Sequence, residues 1–97
     1  MKLITPEFEA LFKDYPLYSQ DRDPIDPLVI AKLFDSSAIW YLVEYDPVDS
    51  SAFGFVTGLE EDKWVFVSVT EMENIEAGVA RDMNFQKKRL SECLEKK

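Results

Sequence analysis

Histidine is absent from these 97 residues, and cysteine occurs once, at Cys93. A lone thiol closes no internal disulfide, and without histidine the usual zinc sites and the Ser-His-Asp and Cys-His relays are excluded. Glycine is scarce too. Gly54 and Gly58 lie within and at the end of an apolar, β-rich run with no helix start behind them, so they suggest a bulge or a close backbone approach and form no phosphate-binding loop. No low-complexity run is present, and no apolar stretch approaches the roughly 20 residues that a membrane helix needs. The opening Met-Lys-Leu-Ile-Thr-Pro-Glu passes from one lysine straight into proline and acid, so no signal-peptide core is expected. These absences lead us to expect a soluble, cytoplasmic protein, one domain over residues 1–97, with no cofactor, no metal site and no membrane contact.

Positive charge is also in short supply, with 11 Lys and Arg against 19 Asp and Glu and a net charge of -8. The balance is uneven. Residues 1–80 carry 5 basic and 16 acidic side chains, a net of -11, whereas residues 81–97 carry 6 basic and 3 acidic, a net of +3. Most of the chain would repel a phosphate backbone, so duplex nucleic acid is not an expected partner. Lys87, Lys88 and Arg89 with Lys96 and Lys97 make only a small basic tip, which is expected to solvate a helix end.

What the chain has in quantity is aromatic and β-branched residues in short runs. Residues 38–45, 52–58 and 64–69 are each bounded by Asp, Ser, Gly or Pro and spell strands joined by turns, and residues 28–34 add a fourth strand ahead of the Asp35-Ser36-Ser37 connection. The expected fold is α+β: an antiparallel meander of four strands, or five if residues 79–85 add an edge strand, with three short helices. Thr5, Pro6 and Glu7 start the first helix over residues 6–14, with Phe8, Leu11, Phe12 and Tyr15 as its buried stripe. Ser68-x-x-Glu71 and Thr70-x-x-Glu73 are capping boxes for a helix beginning near Val69, with Met72 and Ile75 inward and Gly78 as its stop. Leu90, Cys93 and Leu94 give a short amphipathic helix at the C-terminus. Between Tyr15 and Pro27 runs a long, acid-bearing surface loop.

Alternation within strands places Trp40, Leu42 and Glu44 on one face and Ile39, Tyr41, Val43 and Tyr45 on the other. Both faces are apolar, as are both faces of residues 64–69. Either the helices and a curl of the sheet cover both sides, or an aromatic face meets a partner, with a weak homodimer as one outcome.

In order and spacing, Leu3-Ile-Thr-Pro-Glu7, Trp40-Tyr-Leu-Val-Glu-Tyr-Asp46, Phe53-Gly-Phe-Val-Thr-Gly58, Phe66-Val-Ser-Val-Thr-Glu71 and Ala80-Arg-Asp-Met-Asn-Phe85 cover nearly the whole chain. In these segments the chain resembles a family of small bacterial domains of unknown function that recurs on plasmids, phages and conjugative elements, often beside antirestriction and replication genes. The resemblance implies a fold and a genomic setting and no activity.

Four polar residues stand out: Glu44, Asp46, Arg81 and Asp82. A carboxylate on the parity of Trp40 and Leu42 needs a cation or donors to stay charged, and Arg81 is the expected partner of Glu44, with Lys32 as a further one. The bland reading is an ion pair that pins the Arg-Asp segment to the sheet. The catalytic reading is a carboxylate pair, Glu44 with Asp82 or Asp46, doing acid-base work or holding a hard divalent ion, as a small hydrolase or nuclease would. Against it stands a non-enzymatic acidic binding protein of a mobile element, acting through protein contacts. Its candidate binding residues are Asp21, Asp23 and Asp26 in the long loop, Glu60, Glu61 and Asp62 in the last hairpin turn, and the exposed-face candidates Trp40 and Trp64.

Overall fold

A computed structural model describes residues 2–20, 26–75 and 78–94. Helix α1 (Pro6–Leu11) is opened by Thr5, whose hydroxyl accepts the Phe8 N–H, with Pro6 at the first helical position. It is shorter than the expected 6–14 because a tight turn over residues 12–14 replaces its last turn, with Tyr15 N–H closing onto the Phe12 carbonyl ahead of Pro16.

The strands are β1 (Leu28–Val29), β2 (Ala31–Phe34), β3 (Ile39–Asp46), β4 (Ser51–Thr57) and β5 (Lys63–Ser68), followed by helix α2 (Val69–Glu73), β6 (Ala80–Arg81), β7 (Lys88–Arg89) and helix α3 (Leu90–Leu94). The main sheet is five-stranded and antiparallel in the order β5-β4-β3-β2-β6, so the meander and the added edge strand expected from the sequence are both present. The first expected strand is split at Ile30. Its leading half, β1, pairs with β7 in a separate two-stranded ribbon, while β2 stays in the main sheet. The basic run at residues 87–89 therefore contributes a strand that its charge did not suggest.

Between Leu42 and Glu44 the register of β3 against β4 slips by one residue: Leu42 faces Gly54, but Glu44 faces Phe53. This β-bulge reverses the alternation beyond it. Tyr45 consequently lies with Leu42 and Ala52 in one core, while Val43 stays with Tyr41 in the other, which corrects the expected grouping of Tyr45 with Tyr41. Gly54 makes the slip possible, because a Cβ there would lie 2.5 Å from the Tyr41 carbonyl oxygen.

One face of the sheet is roofed by the N-terminal segment, α1 and α2, around Leu3, Phe8, Leu33, Leu42, Tyr45, Val69 and Met72. The rings of Phe8, Phe12 and Tyr45 meet at 5.1 to 5.5 Å, within the range of favourable aromatic contacts. Ser68 caps α2 by accepting the Glu71 N–H. Met72 is inward as expected, but Ile75 is 46% exposed, because the helix ends at Glu73. On the opposite face, Val29, Tyr41, Val43 and Leu90 form a smaller core beneath the segment that leads into α3. None of the described helices is long and apolar enough to cross a membrane.

Candidate functional site

The four polar residues singled out in the sequence do not converge. Glu44 is buried, 4% exposed, but its carboxylate is taken by backbone donors: Oε1 accepts the Tyr18 N–H and Oε2 the Gln20 N–H, each at 2.8 Å. The expected Glu44–Arg81 pair is absent, and the bulge is one reason for it. Beyond the slip Glu44 stands opposite Phe53, on the side of the smaller core, whereas Arg81 pairs with Leu33 of the larger core at the far edge of the sheet.

Arg81 is 8% exposed and binds the Glu7 carboxylate of α1, with its guanidinium carbon 5.7 Å from the centre of the Phe8 ring. Asp82 faces Lys32 at 3.8 Å across the opposite surface of the same edge, so Lys32 serves Asp82 and does not serve Glu44. Asp46 is a turn residue whose Oδ1 accepts the Val48 N–H. The three carboxylates of the catalytic reading thus have separate partners: backbone N–H groups of Tyr18 and Gln20 for Glu44, Lys32 for Asp82 and the Val48 N–H for Asp46. Among the described residues no group of three or more His, Cys, Asp or Glu is placed to hold a metal ion.

Glu44 closes the edge of β3. Strand β2 reaches only Ala31, opposite Leu42, so the backbone of residues 43–46 would otherwise face solvent on that side. The segment of residues 15–20 takes its place: Tyr45 N–H donates to the Tyr15 carbonyl, and the Gln20 side-chain amide donates to the carbonyls of Val43 and Leu28 while accepting the Leu28 N–H. Gln20 was not singled out in the sequence, because nothing local distinguishes a glutamine that caps a strand edge from one in solvent. Glu73, expected in a capping box with Thr70, has another role, since the N-cap of α2 is Ser68. Its carboxylate accepts the Leu3 and Ile4 N–H groups at 2.7 and 2.5 Å, tying the N-terminal segment to α2.

The acidic loops have mixed roles. Asp26 is a structural residue, its carboxylate accepting both the N–H and the hydroxyl of Ser91 at 2.8 Å at the start of α3. These bonds to Ser91, aided by Arg89, hold its carboxyl below the usual aspartate value. Asp21 and Asp23 lie outside the described residues. Glu60, Glu61 and Asp62 are all exposed in the β4–β5 turn.

The two tryptophans lie on opposite faces. Trp40 is half-buried and packs against the larger, helix-covered core. Trp64 stands on the other face, in a ladder built by the pairing of β4 with β5, in which Phe55 faces Trp64 and Phe53 faces Phe66. The Phe53 and Trp64 rings stack 5.1 Å apart at 10°, Phe66 is 4.7 Å from Phe53, and Phe55 meets Trp64 edge-on at 5.2 Å. Ring packing of this kind fixes the side chains with little freedom left to lose on binding. Phe66 is 57% exposed, and Phe53, Phe55 and Trp64 are half-buried. This face adjoins the smaller core but is not roofed as the other face is. It is also next to an open sheet edge, since β5 is the outer strand and Lys63 is its only charged residue.

The arrangement is that of a small α+β protein whose sheet is sealed on one side by helices and left aromatic on part of the other. The family model described as "Protein of unknown function (DUF2958)" matches residues 3–96, and the chain belongs to that family. No curated protein and no solved structure matches it.

Proposed function

We propose that this protein is a non-enzymatic binding module that docks a basic protein surface on the aromatic ladder of β4 and β5. The observation that carries the reading is the stacked set of half-buried Phe53 and Trp64 with exposed Phe66, on a strand pair whose connecting turn bears Glu60, Glu61 and Asp62. The rings supply apolar area at low entropic cost, as aromatic anchors do in interface centres. The acids supply a rim of one sign, and the net charge of -8 extends the same field over the molecule, steering a basic partner inward with an on-rate that falls as salt rises. The same field disfavours duplex nucleic acid. A cytoplasmic setting on a mobile element agrees with the family resemblance of the sequence. A weak homodimer is the second reading, favoured by the open edge of β5.

The test is capture of host proteins at low and moderate salt by three forms: the unaltered protein, Phe66→Asp, and the triple change of Glu60 and Glu61 to Gln with Asp62 to Asn. The expected result is a basic protein retained by the first form, lost with Phe66→Asp and weakened by neutralising the turn. Capture that is unchanged by both variants, or salt-sensitive binding of plain duplex DNA, would sink the reading. Sedimentation of the unaltered protein across a concentration range tests the homodimer.

A further inference from the structure

Beside the aromatic ladder, on the same face, a cavity of about 250 Å³ opens between β2, β3 and the segment that leads to α3. Its floor is a directly opposed cross-strand pair, Lys32 and Tyr41. Its wall includes Asp82, Asn84, Phe85 and Lys88. Tyr41 is only 7% exposed, yet its hydroxyl makes no hydrogen bond to another described residue. The hydroxyl oxygen itself is not sealed off from solvent, so it opens into the cavity that the ring floors. Burial also pushes its pKa up, so it keeps its proton at neutral pH and can donate.

The charge of the cavity opposes that of the molecule. Lys32 and Lys88 both line it, against the single carboxylate of Asp82, which holds Lys32 only loosely at 3.8 Å. Residues 82–88 belong to the one stretch of the chain with a surplus of positive charge. Lys88 reaches over the Phe85 ring, 5.7 Å from its centre, so the ring carries the ammonium at the mouth. The Asn84 side chain is uncommitted, since it is the backbone N–H of Asn84 that binds Asp82.

We propose that this cavity binds a small oxyanion, a carboxylate or phosphate group, between Lys32 and Lys88 with the Tyr41 hydroxyl as a further donor on its floor. Its size suits a small ligand or the terminal group of a larger one, being below the usual range of drug-sized sites. The two lysines provide charge-assisted bonds and the phenol a neutral one, positioned by its packed ring. The site goes beyond the protein-docking reading and uses none of the ladder residues.

The experiment is a titration of the isotope-labelled protein with sodium acetate and with inorganic phosphate, followed by amide chemical shifts, with sodium chloride at matched ionic strength as control. Saturable shifts clustered at Lys32, Tyr41 and residues 82–88 are expected from at least one of the two anions. Tyr41→Phe and Lys88→Gln should each weaken that binding by about tenfold, while Phe66→Asp leaves it unchanged. Preference for acetate points to a carboxylate ligand, and preference for phosphate to a phosphorylated one. Tyr41→Phe keeps the ring in place, so amide shifts unchanged away from residues 32, 41 and 82–88 in the anion-free protein show that the fold is intact. Shifts no larger than those with chloride, or an affinity in both cavity variants equal to that of the unaltered protein, would overturn the proposal.

Discussion

Arg81 of β6 binds Glu7 of α1 across 74 residues of chain. The pair fastens the first helix to the far edge strand of the sheet. Its two ends differ, because the Arg81 side chain is 7% exposed and that of Glu7 is 59% exposed. Water can therefore reach the carboxylate, and the coupling should be moderate. In double-mutant cycles read by urea unfolding, Glu7 and Arg81 should couple by about 1 kcal/mol, whereas Glu44 and Arg81 should be additive within about 0.5 kcal/mol. Coupling in the second cycle and none in the first would reverse this assignment.

Glu44 gives a second expectation. Replacing it with Gln leaves one oxygen to accept and turns an NH2 toward the other backbone N–H. The loss should be about 1.5 to 3 kcal/mol, as for charge-assisted bonds to buried groups. Hydrogen exchange should quicken at Tyr18 and Gln20 before it does in the central strands, because these two amides donate to the carboxylate directly. Uniform acceleration over the whole sheet would show that the segment of residues 15–20 does not open separately.

At the bulge, Gly54→Ala should be costly. The new methyl would press on the Tyr41 carbonyl oxygen at 2.5 Å and on the Leu42 Cα at 3.0 Å, both of them backbone. Relief requires β3 and β4 to separate, at a cost of about 1 to 3 kcal/mol. A denaturation midpoint equal to that of the unaltered protein would mean that the strands yield freely here.

Acid should weaken the anchor of α3. The Asp26 carboxyl is held below its ordinary value of 3.8 by the backbone and side-chain bonds from Ser91. A folded-state value lower than the unfolded one makes the ionised form stabilising. That contribution is complete above the unfolded value and disappears as pH falls through the folded one. Thermal melts taken from about pH 5 down to about pH 2 should therefore fall more steeply for the unaltered protein than for Asp26→Asn. Parallel curves would remove Asp26 from the acid transition.

Much of this molecule is legible locally. Thr5 and Ser68 cap helices through bonds spanning three residues, and Asp35 turns β2 into β3 by accepting the N–H groups of Ser37 and Ala38. The strands follow from alternation and β-branched content, and the lack of histidine limits the chemistry before any coordinate is known. These features depend on groups close together in the chain, whose geometry the backbone itself sets.

The tertiary structure decided what alternation could not. One extra residue at Val43 moved Tyr45 into the helix-covered core and set Glu44 opposite Phe53, and no period-two pattern announces where a register will slip. Glu44 then found backbone donors from residues 18–20, and Arg81 found Glu7, because burial penalises an unsatisfied charge but does not name which distant group will satisfy it. The same holds for the partly exposed ladder and the cavity floored by Lys32 and Tyr41. Both arise from which strands and helices cover which part of a sheet that is apolar on both faces, and that choice is made only when the chain closes on itself.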